Sequence, residues 1–200
     1  MRKQKIIIGI LTGSLILCNT NKVLAKSQYN DQTFCSHGYE TFFDHYLKSS
    51  DGSRIGTKKY FISSNFNDQQ KGMIAAGIKK WDVTAYFDLA STSSNATAQI
   101  KVSKETLAAG VNGITLYSCT MDECGRPTSN YKYAKIQIDV QKTSDTKLLQ
   151  KVATHEAGHA LGLAHLSRTA SVMWPISSDT GYFKAELQNV DYFNVVHIYC

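Results

Sequence analysis

Eleven residues near the end of the chain, HEAGHALGLAH from His155 to His165, limit its fold more than any other stretch. His155 and His159 are four apart, and on a helix such residues stand one above the other on the same face. Each can offer a neutral imidazole nitrogen to one metal ion. A continuing helix cannot bring a third ligand to the same ion, so the helix must end soon after His159. Gly162 suits that end, because glycine adopts the left-handed conformation of a helix C-terminus without a side-chain penalty. The chain then doubles back, His165 becomes the third ligand, and a fourth position is left for water. Glu156 adjoins a ligand but points differently, which fits a general base acting on that water.

HExxH alone is a weak string. With the glycine and the third histidine five identities are set, and chance occurrence falls to the order of 1 in 10,000. Three of the six histidines lie within the motif. His37, His45 and His197 carry no motif and are read as surface or cap residues. Histidine ligands must be neutral, so any activity of the site should fall in acid.

The start of the chain reads as an export signal. Arg2, Lys3 and Lys5 precede an apolar run from Ile6 to Cys18, and Val23, Leu24 and Ala25 supply a cleavage site. The run is short for a bilayer-spanning helix, which needs about 20 residues. The formal net charge of +6 owes much to this segment. Of 22 basic residues, Arg2, Lys3, Lys5 and Lys22 lie in it, leaving 18 against 16 acidic residues beyond it. A net charge of +2 predicts no nucleic-acid partner. No membrane partner is expected after signal removal, and the expected location is extracellular.

Export changes the reading of the cysteines. Cys18 leaves with the signal, and Cys35, Cys119, Cys124 and Cys200 remain. Four cysteines in an exported chain suggest two disulfides with three possible pairings. Cys119 with Cys124 would close a small loop, and Cys35 with Cys200 would tie the start of the mature chain to its end. No pair has zinc-finger spacing.

Hydropathy patterning outlines one α/β domain. Residues 26 to 57 form a polar arm with several aromatics. Lys58 to Ser63 reads as a strand. Asn67 to Trp81 reads as a helix, with Asn67 and Gln70 forming a capping box and Gly77 allowing a close approach to a sheet. Tyr86 to Leu89, Ala98 to Val102 and Gly113 to Ser118 are short strand candidates. Tyr133 to Val140 alternates clearly, with Ala134, Ile136, Ile138 and Val140 on one face. A helix is expected from about Lys147 through the histidine motif, and another over 187 to 199, with Asn189 as its cap.

HExxHxxGxxH is the zinc signature of the metzincin metallopeptidases, and the chain resembles their matrixin branch. Met173, Trp174 and Pro175 match the methionine turn beneath the metal, with Met173 as a platform and not a ligand. Asp191 matches a buried aspartate that hydrogen-bonds to that turn. The resemblance spans about Lys58 to Cys200. It implies a metzincin-like zincin fold of the α/β (α+β) class, a twisted mixed sheet of about five strands with three main helices. It divides the chain into a signal peptide (1–25), an N-terminal arm (26–57) and a matrixin-like catalytic domain (58–200).

The implied activity is that of a secreted, monomeric zinc endopeptidase acting on polypeptides, with the segment from Trp174 to Phe183 along one wall of the substrate pocket. Departures from the family pattern limit the expectation. No histidine lies between His45 and His155, so the structural second zinc of vertebrate matrixins is not expected. Calcium is possible but has no motif, and no PRCG-type cysteine switch is present. The alternative is a metal-binding decoy or binding module on a protease fold. Glu156, needed for chemistry but not for metal binding, argues for the enzyme.

Overall fold

A computed structural model describes residue 43 and residues 45–123, 125–143, 145–166, 171–174 and 186–200. The expected signal peptide, Cys35, Cys124 and Pro175 lie outside the described residues. Five strands form one mixed sheet: β1 (Lys58–Ile62), β2 (Leu89–Ser91), β3 (Ile100–Lys104), β4 (Gly113–Tyr117) and β5 (Ala134–Ile138). Their order is β2-β1-β3-β5-β4. Only β4 runs antiparallel, pairing Thr115 with Ile136 at one edge of the sheet. Three helices complete the described fold: α1 (Asp68–Lys79), α2 (Thr146–Ala160) and α3 (Asn189–Tyr199).

Alternation decides which sheet face is covered. Ile100 and Val102 on β3, and Ala134, Ile136 and Ile138 on β5, are buried, while Lys101, Lys135 and Gln137 point the other way. Against this face pack Ile74 and Ile78 of α1, Trp81 beyond it, and Leu149, Val152 and Ala153 of α2. Val195, Ile198 and Tyr199 of α3 join the same core with Leu47 from the arm. Leu47 pairs in parallel with Tyr131, so the described part of the arm is built into the fold.

Local signals place most helix ends. Asn67 Oδ1 accepts from the Gln70 N–H at 2.8 Å and Gln70 Oε1 from the Asn67 N–H at 3.1 Å, the reciprocal capping box. Asp145 caps α2, its carboxylate accepting from the Lys147 and Leu148 amides.

Three expectations need correction. The strand expected over Tyr86–Leu89 begins only at Leu89, because the Thr84 hydroxyl oxygen takes the Tyr86 N–H at 3.1 Å and holds the preceding residues in a turn. Asn189 is the first residue of α3 and Gln188 is its cap. Gly77 does permit a close approach, but to a helix: a Cβ there would lie 2.6 Å from the Gln150 carbonyl oxygen on α2.

The cysteine expectations fare differently. Cys119 carries a free thiol, so the bridge expected from it to Cys124 is not formed. Its side chain packs against the hydrophobic core, whereas Met121, Asp122 and Glu123 just beyond it are exposed. Cys200 is disulfide-bonded, to a partner outside the described residues.

Candidate metal centre

Helix α2 carries the first two histidines and its C-terminus presents the third. The Gly162 N–H donates to the His159 carbonyl at 2.9 Å and the Leu163 N–H to the Gly158 carbonyl at 3.0 Å. That pair of bonds is the Schellman arrangement, and Gly162 supplies its left-handed residue at φ +101°. Further bonds reach four successive carbonyls at this end, one of them the His159 carbonyl already bound by Gly162. Tyrosine hydroxyls donate to three in succession: Tyr117 to His159 at 3.3 Å, Tyr131 to Ala160 at 3.0 Å and Tyr199 to Leu161 at 3.0 Å. The Phe43 amide takes the fourth, that of Gly162, at 2.9 Å. Three tyrosines from three parts of the chain therefore hold the end of the helix from which His165 departs.

The three Nε2 atoms converge. His155 lies 3.1 Å from His159 and 3.2 Å from His165, and His159 lies 3.1 Å from His165. Four-coordinate zinc with nitrogen ligands at about 2.0–2.1 Å sets neighbouring nitrogens roughly 3.3 Å apart. The histidine set fits that requirement, and it is the one group of candidate ligands among the described residues.

The opposite ring nitrogens explain the aim. His155 Nδ1–H donates to the Val172 carbonyl and His159 Nδ1–H to the Leu163 carbonyl, each at 2.8 Å. Each bond turns the Nε2 lone pair to the centre and sets the tautomer a metal needs. Burial favours the neutral ring: His155 is pushed down to about 4, and His159 and His165 also lie below the usual histidine range. His155 is buried, His159 half-buried and His165 exposed, so the centre opens to solvent on the His165 side. Phe43 stacks on His159 with ring centres 6.2 Å apart.

The turn after the motif braces this set. Met173 is buried, and its sulfur packs where a Cβ on Gly158 would have to lie, beside the Trp81 ring. Trp81 Nε1–H donates to the Thr154 carbonyl of α2 at 2.7 Å. Asp191 lies against the turn: its carboxylate accepts from the Ser171 hydroxyl and from the Val172 amide, the latter at 3.1 Å. The Val172 carbonyl is the acceptor for His155, so Asp191 reaches a histidine of the cluster through the backbone of one residue, Val172. Ser171, whose hydroxyl oxygen also takes the Met173 amide at 2.8 Å, carries no motif signal.

Glu156 is buried, and burial raises its carboxyl to about 7, opposed by a hydrogen bond from Thr115. Thr115 Oγ1 lies 2.8 Å from Glu156 Oε2. Gly113 and Thr115 were not visible as site residues, since GITLYS reads only as a strand and nothing in it tells which helix it will face.

The matrixin family of peptidases matches residues 57–200. Metalloendoproteinase 1 from Glycine max is 27% identical over 173 residues, covering 80% of this chain and 53% of that protein. The chain thus spans about half the length of the curated relative it matches. High choriolytic enzyme 1, a hatching-enzyme zinc-protease from the medaka Oryzias latipes, is similar in structure over 60% of this chain and 50% of its own, at 15% identity and a TM-score of 0.37. The family match takes in every strand and helix described above, together with all three histidines, and the chain belongs to the matrixin family.

Proposed function

We propose that the chain is a secreted zinc endopeptidase that hydrolyses peptide bonds in polypeptides, working as a monomer. The observation that carries this reading is the convergence of three neutral histidine nitrogens next to a buried glutamate that is not among them. When bound, zinc supplies Lewis acidity toward water and toward a substrate carbonyl. His155, His159 and His165 would hold it, with Gly162, Met173 and Asp191 keeping those ligands in place.

Glu156 takes a proton from the attacking water on a carboxylate oxygen as the water oxygen bonds to the scissile carbon. As the carbon–nitrogen bond breaks, the same oxygen returns that proton to the departing amine. Its buried setting suits both halves, because an acidity near neutrality lets one group accept and then release a proton. Export is supported by the charged and apolar opening of the sequence, and no helix among the described residues is long and apolar enough to cross a membrane.

Glu156→Gln keeps the shape but removes the base. The variant should bind zinc as the wild type does and cleave denatured casein or gelatin at least about 100-fold more slowly. Wild-type protein that binds one equivalent of zinc and leaves both substrates intact would favour the decoy instead.

A further inference from the structure

Alternate residues of a strand share a face, so Gly113, Thr115 and Tyr117 of β4 all turn toward α2. Each meets it at the metal centre. The Tyr117 hydroxyl donates to the His159 carbonyl. Thr115 Oγ1 lies 2.8 Å from Glu156 Oε2 and 3.0 Å from the Glu156 main-chain oxygen, within reach of both. Gly113 leaves room for the same side chain: a Cβ there would lie 2.8 Å from Glu156 Cγ and 2.9 Å from Oε1.

We infer that Thr115 is a positioning residue that holds the Glu156 carboxylate in place for proton transfer, in a space that exists because residue 113 is glycine. The inference rests on the proteolytic reading above. Without the hydroxyl, the buried carboxylate loses the side chain that fixes its rotation about the last bond. With it, Oε2 is tied back toward the backbone of α2 and Oε1 is presented beside Gly113. A hydroxyl both donates and accepts, so it stays in contact after Glu156 has taken up a proton, donating then to the main-chain oxygen. Its side chain faces the helix, so substrate binding should not depend on it.

Thr115→Val keeps the shape and removes the hydrogen bond, and Thr115→Ser restores the hydroxyl. A hydrogen bond to a charged group is worth enough for kcat to fall roughly 10- to 100-fold in Thr115→Val, with KM and zinc affinity unchanged. Thr115→Ser should return kcat to within about threefold of wild type. Thr115→Ala serves the same purpose if the valine variant fails to fold. Unchanged kcat in the variants without a hydroxyl overturns the inference. So does loss of zinc affinity in step with activity, because that marks a structural role. A crystal structure of the same variant tests the contact independently of cleavage. A Glu156 carboxylate that keeps its orientation there overturns the inference even if the wild type proves inactive, whereas the proteolytic reading fails on wild-type cleavage alone.

Discussion

Gly162 answers two demands that have different origins. Its φ of +101° lies where L side chains are strained, and a Cβ would sit 2.5 Å from the His45 carbonyl oxygen. The first demand is readable from the motif, because a helix carrying two ligands must end before the third. The second is not, since the arm comes from more than a hundred positions earlier in the chain. Gly162→Ala should destabilise the metal-free protein by roughly 1–3 kcal/mol and weaken zinc binding, because only Leu163 and Ala164 separate the strained residue from His165. Urea unfolding and competition with a fluorescent chelator measure the two effects. Wild-type values in both would mean that the helix end tolerates a side chain.

Helix contacts are only half legible in the sequence. The capping box at Asn67 and the apolar spacing of α1 were legible because they involve residues within one or two turns. Gly77 was legible as a point of close approach but not its partner. Its neighbours are Gln150, Ala153 and Thr154 of α2, the turn just before the first histidine ligand. Helix propensity alone says that Gly77→Ala should stabilise by about 1 kcal/mol. The contact reverses the sign: a methyl group 2.6 Å from the Gln150 carbonyl must push the helices apart, at a cost of roughly 1–3 kcal/mol. A higher unfolding midpoint in Gly77→Ala would show that α1 and α2 have slack between them. The tyrosine hydroxyls on the carbonyls of His159, Ala160 and Leu161 teach the same lesson. Their residues lie in β4, just before β5 and at the end of α3, and no local pattern marks them as caps for one helix.

Across the whole molecule, buried titratable groups make stability depend on pH. In the metal-free protein burial holds His155 near 4 against an ordinary value of 6.5, with His159 and His165 lowered as well. Between those pH values the unfolded chain binds protons that the folded chain refuses. Their contribution is therefore complete above about 6.5 and is lost as pH falls toward 4. Glu156 acts in the opposite sense: raised from 4.5 to about 7, it favours the folded state in acid and costs stability as pH rises through that window. Asp191, also raised by burial, acts in the same sense as Glu156, but three lowered histidines outweigh the two carboxylates, so the urea midpoint of the metal-free protein should drop between pH 6.5 and pH 4.5. Zinc binds the folded state and should raise the midpoint at neutral pH, by an amount that grows with free zinc. A midpoint indifferent to both pH and chelator would contradict the burial of these groups around one ion.

By itself the sequence determined the chemistry of the centre: the ligand types, the helix that holds two of them and the glycine that ends it, whereas the methionine and aspartate beneath were implied by the resemblance to matrixins and not by spacing within the motif. The ligands and the glycine are encoded by spacing along the chain, and a helical turn converts spacing into geometry without help from elsewhere. Only the tertiary structure decided what surrounds Glu156. Thr115 and Gly113 reach it because β4 lies at the sheet edge in one register against β5, and because the packed face of that sheet sets the height of α2 above it. A shift of one residue in that register would turn Ile114 and Leu116 toward the helix and Thr115 away from it. That register depends on side chains buried across the whole sheet, so no short stretch of sequence contains it.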